Sequence, residues 1–233
     1  YDHAMHNVVN QSPIKFYGLH LNLTEGNALN RNCINIICNE NNRFKISAKK
    51  YFLLNFSKLN KTYESIIYNE FKSQIEKVLK DGVKIAHFDS HEHIHHSPWI
   101  FKIISALGKE FNINKIRFVN EKIIINNYFK GAYNKLRNLN YLKHLVINIS
   151  NKRIKNNFIS PDYFFGILNS GIMSIDEFFL YFENLEFDKI LELCVHPGSK
   201  LINNQSVNFK DSYGNQNRIF ERNLLLSYNF RNF

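Results

Sequence analysis

The chain has 233 residues, 44% hydrophobic and 15% aromatic, enough for one large domain or two small ones with a substantial core. Its formal net charge is +10, but Lys is scattered among Asn, Ile, Phe and Tyr, the bias of an AT-rich coding genome. No Arg-rich block or aromatic ribonucleoprotein motif accompanies it, so a nucleic-acid partner is not expected. No apolar run approaches the roughly 20 residues of a membrane span, and no charged segment followed by an apolar one opens the chain, so the reading is a cytoplasmic protein without a membrane partner.

In chain order, Ile14 to Leu23 alternates well enough for a strand and ends in Asn22-Leu23-Thr24-Glu25-Gly26. The three cysteines, Cys33, Cys38 and Cys194, include no CxxC pair and are odd in number. That argues against a disulfide framework or a zinc knuckle. Tyr63, Ile67, Phe71, Ile75 and Val78 fall at helical spacing, and Gly82 supplies a stop. Val83 to Phe88 reads as a buried strand. Ser97 and Pro98 suit the cap and first position of a helix with Ile100, Ile103, Ile104, Leu107 and Phe111 on its apolar face.

Ile116 to Val119 is a third strand, and Tyr133 to about Asn151 a further helix. Ser174-Ile175-Asp176-Glu177 is a capping box opening a helix with Phe178, Phe179, Phe182 and Leu185. Lys189 to Val195 is a buried strand, with Cys194 as a small buried hydrophobe, and it ends at His196-Pro197-Gly198. A last helix spans Arg218 to about Tyr228. Strands alternating with helices imply an α/β fold with parallel strands. One domain over residues 1–233 is expected, with Lys130 to Asn157 as a candidate insertion.

In such folds sites gather at the carboxyl ends of strands, and three strands carry histidine there: His20, His91 and His196. Five of the ten histidines lie in His87-Phe88-Asp89-Ser90-His91-Glu92-His93-Ile94-His95-His96. Read as extended backbone, this run points Asp89, His91, His93 and His95 to one side. Imidazole and carboxylate together suit a divalent ion of the zinc, cobalt, nickel or manganese type. Not all can be ligands, so some would orient ligands or touch substrate. His20 between two Leu residues reads equally as a core histidine, and His196 as a turn histidine or a proton donor. Arg117 on a buried strand needs either a carboxylate partner or a polar substrate.

Three blocks resemble the YdjC-like carbohydrate deacetylases, which include the chitooligosaccharide deacetylase. Gly18-Leu19-His20-Leu21-Asn22-Leu23-Thr24-Glu25-Gly26 is similar to the family's metal-binding His block. His87 to His95 is similar to its Asp-Ser-His-x-His-x-His block, and Glu192 to Gly198 to its late His-Pro-Gly block. Ser160-Pro161-Asp162-Tyr163-Phe164-Phe165-Gly166 resembles a weaker segment. The resemblance implies a variant TIM-like (β/α) barrel that removes an acetyl group from N-acetylated sugars or chitooligosaccharides. It implies magnesium or a similar divalent ion such as zinc, ligated by His20 and His91. His93 and His95 would line the pocket, and His196 would sit opposite the metal.

One departure stands out. Family members open with a strand ending in an Asp-Asp-Phe-Gly block, which this sequence lacks. Tyr1-Asp2-His3-Ala4 looks like the interior of the family's first third, so Asp2 is not the missing acid. The barrel is thus expected to be incomplete at its amino end, with Asp89 as the nearby carboxylate to act as base. Arg117 and Asn22 would hold sugar hydroxyls, and His196 would protonate the departing amine. Two other readings compete. One is a carbohydrate-binding remnant without turnover. The other is a metal-dependent phosphoesterase, which usually needs more carboxylates and a second metal ion. A homodimer is left open.

Overall fold

The structure, a computed structural model, describes residues 5, 9, 16–54, 60–124, 135–171, 173–197 and 214–227. The chain divides into two compact units, Tyr1–Arg117 with Ser150–Ser160, and Phe118–Ile149 with Pro161–Phe233.

In the first unit, β1 (Tyr17–Leu21) turns its leucines inward and leaves Gly18 and His20 on the open face. The expected start of this strand, residues 14–15, lies outside the described residues. β2 (Ile85–Ser90) runs parallel to β1, and their register sets His20 opposite Asp89 and Leu21 opposite Ser90. Gly18 makes the pairing feasible, because a Cβ there would lie 2.3 Å from Nε2 of His87. The strand expected over Ile116 to Val119 is reduced to isolated parallel bridges, Phe88 with Ile116 and Lys115 with Ile159. That contact still brings Arg117 beside β2, since its N–H donates to the Phe88 carbonyl at 2.8 Å.

Two of the next four helices bury the faces that the apolar spacing marks. α1 (Ala48–Leu54) buries Tyr51, and α2 (Asn60–Lys80) buries Ile67, Phe71, Ile75 and Val78. Past the end of α2, Gly82 takes a φ of +79°, the left-handed conformation that lets a helix stop without steric cost. α3 (Pro98–Glu110) buries Ile100, Ile103, Ile104 and Leu107, each contributing roughly 1.5–3 kcal/mol by leaving water. Ser97 precedes α3 as expected, but its hydroxyl donates to the Tyr51 carbonyl at 3.1 Å rather than accepting from the helix. α4 (Lys135–Asn151) ends with Asn151 in this unit, although most of its length belongs to the second.

Two expectations are corrected here. Cys33 and Cys38 form a disulfide. A tight turn after the single 3-10 turn Arg31–Cys33 brings their Cα atoms to 5.3 Å, which no CxxC spacing announces. Cys194 is free and buried. The histidine run is also not extended past Ser90. His91–His96 is a tight 3-10 segment in which Glu92 (φ 51°) and His93 (φ 56°) are left-handed, so alternate residues do not share a face. Two consecutive non-glycine residues in that region are strained, and strain of this kind concentrates at functional sites.

In the second unit, β3 (Tyr163–Phe165) and β4 (Leu191–Leu193) pair in parallel. α5 (Ile175–Glu183) is capped by Ser174, whose Oγ accepts from the Glu177 N–H at 3.2 Å. α6 (Gly214–Leu226) delivers Leu224 into a core of Phe165, Met173, Phe178 and Tyr181. The expected end of α6 near Tyr228 lies outside the described residues, as do Gly198 and residues 130–134 of the candidate insertion. Glu121 is buried, and its carboxylate accepts the N–H groups of Gly166, Ile167 and Leu168 at 2.8–3.1 Å.

Candidate functional site

The strand register of the first unit assembles a chain of charged and imidazole groups. Oδ2 of Asp89 lies 2.8 Å from Nδ1 of His20 and 2.6 Å from Nη1 of Arg117. Asp89 and Arg117 are both nearly buried, while the His20 side chain is 50% exposed. Burial, the largest single influence, pushes the Asp89 carboxyl up; the His20 hydrogen bond and the Arg117 charge outweigh it and hold it below the usual range. Asp89 is therefore a charged acceptor with two partners.

That pairing orients the His20 ring. Its Nδ1 is turned to Asp89, and its Nε2 faces Nδ1 of His91 at 3.4 Å. The far nitrogen of His91, Nε2, sits 3.6 Å from Oε2 of Glu25. Each imidazole thus has a carboxylate behind it and its other nitrogen turned toward its neighbour. Two lone pairs in that position repel unless a proton or a cation lies between them. Two nitrogens each ~2.1 Å from a tetrahedral zinc ion would be ~3.4 Å apart, so this pair suits two ligands of one ion. Among the described residues, no group of three His, Cys, Asp or Glu side chains is arranged to hold a metal.

Asn22 supports the same corner. Its Oδ1 accepts from Thr24 N–H at 3.0 Å and Glu25 N–H at 3.3 Å, and its Nδ2 donates to the Glu25 carbonyl at 2.6 Å. Gln74 of α2 clasps the Asn22 backbone from both sides, at 3.0 and 2.7 Å. Asn22 therefore shapes the turn that carries Glu25 to His91. No residue type or spacing singles out Glu25 as a site residue; the signal for it is the Asn22-x-Thr24-Glu25 turn chemistry.

His93 and His95 occupy the 3-10 segment beyond His91. His95 is fully buried; its N–H donates to Ser90 Oγ at 3.0 Å and its Nδ1 lies 2.5 Å from that same oxygen. Burial, with neighbouring imidazoles, lowers His95 well below the ordinary histidine range. His96 is lowered to about 4, chiefly by burial, while Asn151 bonds its Nδ1 at 2.6 Å. Both rings are neutral near pH 7. The ring of His93 is 6.1 Å from that of His95.

His196 belongs to the second unit. Its backbone N–H donates to Oε2 of Glu221 in a short bond, and its Nδ1 lies 3.6 Å from the same oxygen. Sequence reasoning did not find Glu221, because no local motif ties α6 to the end of β4.

A family model described as YdjC-like protein matches residues 1–233. The chain belongs to the YdjC-like family. Curated relatives that the chain matches carry the name carbohydrate deacetylase. That of Clostridium beijerinckii is 33% identical over 116 residues, covering 48% of this chain and 42% of the relative. That of Listeria innocua is 31% identical over 107 residues, covering 46% and 41%. The matched stretch thus spans about two-fifths of each relative's length. A crystal structure from Enterococcus faecalis V583, of a protein proposed to cleave cellobiose phosphate, is similar with a TM-score of 0.59. That likeness covers 98% of this chain and 76% of the other at 17% identity, so it concerns the fold: mixed α/β with parallel strands. Among the described residues of this YdjC-like protein, no helix is long and apolar enough to cross a membrane.

Proposed function

We propose that this YdjC-like chain removes acetyl groups from N-acetylated sugars or chitooligosaccharides in a reaction that needs a divalent metal, magnesium or zinc. The observation that carries the reading is the facing pair of His20 Nε2 and His91 Nδ1, each backed by a carboxylate. These two nitrogens would hold the ion, and a bound ion would supply polarisation of the acetyl carbonyl and a more acidic water. The relatives named carbohydrate deacetylase supply the substrate class.

The remaining roles belong to the chain itself. Asp89, paired with both His20 and Arg117, is poorly suited to take a proton, since its charged form is the favoured one. We assign it the orientation of His20. Arg117 neutralises Asp89, and Asn22 holds the turn of Glu25. His93 and His95, the latter neutral and buried, are proposed as pocket groups that meet the sugar. Protonation of the departing amine is proposed for His196 on the family resemblance. The variant (β/α) barrel, with both units in one deacetylase domain, is proposed on the parallel pairing in each unit and the single family match across both.

The test is acetate release from N,N′-diacetylchitobiose by the full-length protein, with and without added magnesium or zinc. His20→Ala and His91→Ala should each abolish metal-dependent release and lower metal content. Full activity and full metal content in both variants would sink the reading. Phosphate release from sugar phosphates without acetate release would favour a phosphoesterase instead.

A further inference from the structure

Glu221 lies on α6 with no exposed surface, three residues before Leu224, which packs into the core of the second unit. Residues three apart share a helix face, so the packing of Leu224 also aims Glu221 inward. A buried carboxylate is costly unless its oxygens are met by donors. Here both are met. Oε1 accepts the Gly171 N–H at 2.9 Å, and Oε2 accepts the backbone N–H of His196. Burial pushes this carboxyl up, yet the contacts from His196 and Gly171 hold it below its usual range, so it is charged.

The ring of His196 is set by the same oxygen. Its Nδ1 is buried and 3.6 Å from Oε2, while the side chain as a whole is 36% exposed. A lone pair on Nδ1 would face a charged oxygen, whereas an Nδ1–H is attracted to it. We propose that Glu221 is a positioning residue for His196: its carboxylate holds the imidazole in the Nδ1–H tautomer and so leaves Nε2 as the atom that exchanges a proton. The proposal rests on the reading of His196 as proton donor to the departing amine. It adds the group that gives the donor its direction.

The tautomer can be read without any substrate. In the full-length protein labelled with nitrogen-15, imidazole spectra at a pH where the ring is neutral should show His196 as Nδ1–H, with His196→Ala giving the assignment. Glu221→Gln, nearly the same shape, should shift the population toward Nε2–H. An Nε2–H ring in the unaltered protein overturns the proposal, even if the variant does not fold. So does a tautomer population that Glu221→Gln leaves unchanged. On acetate release, Glu221→Gln should lower kcat on the order of 10²-fold with KM unchanged, and Glu221→Asp should restore part of it. Combined with His196→Ala, it should add nothing further; full additivity counts against the proposal. If the unaltered protein releases no acetate, the deacetylase reading fails, and the spectra still decide the role of Glu221.

Discussion

Each unit holds an imidazole against a carboxylate, but the two pairs are built differently. His20 and Asp89 are neighbours across a parallel strand pair, and the carboxylate is neutralised by the guanidinium of Arg117. His196 and Glu221 come from a strand end and a distant helix, and the carboxylate is met by two backbone N–H groups. A guanidinium answers charge with charge, and its loss leaves a buried ion. Backbone donors answer charge with fixed dipoles that no side-chain substitution can remove. The first pair is therefore fragile to mutation at a third residue, whereas the second depends on its own two members.

The largest effect should come from breaking the first pair's neutralisation. Arg117→Ala should cost about 3–5 kcal/mol of stability, because it strands a buried carboxylate with only His20 as partner. Urea unfolding measures this, and a loss under about 1 kcal/mol would show that His20 alone suffices.

Next comes a contrast in pH dependence. Glu121 in the second unit is pushed up by burial to about 7, against three N–H donors that pull it down. A carboxyl raised in the folded state contributes stability that is full below the ordinary value of 4.5 and is lost as pH rises through about 7. Over that window the loss is roughly 3 kcal/mol, and Glu121→Gln should remove it. Asp89 behaves oppositely: its carboxyl is lowered, so its contribution is present above 3.8 and disappears as pH falls through its folded value. Unfolding titrations of both proteins from acid to mildly alkaline pH test the pair of slopes. A parallel pH dependence in Glu121→Gln and the unaltered protein would refute the Glu121 assignment.

Metal affinity separates the two pairs more finely. Asp89→Asn should weaken zinc or magnesium binding about 10–100-fold by calorimetric titration, since the amide no longer fixes the His20 tautomer. Glu221→Gln should leave that affinity alone. Equal losses in both variants would erase the distinction between them. The smallest effect is expected at Glu25, which is 66% exposed and 3.6 Å from His91. Glu25→Gln should weaken metal binding by no more than about fivefold, the range of an exposed ion pair. A larger loss would make Glu25 an equal of Asp89.

Much of this was legible in the chain itself. The apolar spacing of Ile67, Phe71, Ile75 and Val78 and of Ile100, Ile103, Ile104 and Leu107 marks faces that are buried, because helical periodicity and burial share one physical cause. The blocks around His20 and His91 marked the two residues that face one another. Other features could not be read. Glu92 and His93 carry no glycine to announce left-handed backbone, so the run looked extended. Cys33 and Cys38 meet through a local turn that odd cysteine counting hides. Arg117 left two partners open, a substrate or a carboxylate, and 28 residues of separation conceal that Asp89 is within reach.

By itself, the sequence determined most of the helices, the inward faces and which side chains were chemically suited to a metal or a proton, because these follow from periodicity and functional groups within a short window. Only the tertiary structure decided the pairings. His20 meets Asp89 through strand register, Arg117 through one backbone bridge, and Glu221 meets His196 because Leu224 anchors its helix. Such contacts are fixed by how distant segments pack, and no local pattern encodes which buried carboxylate will stand behind which ring.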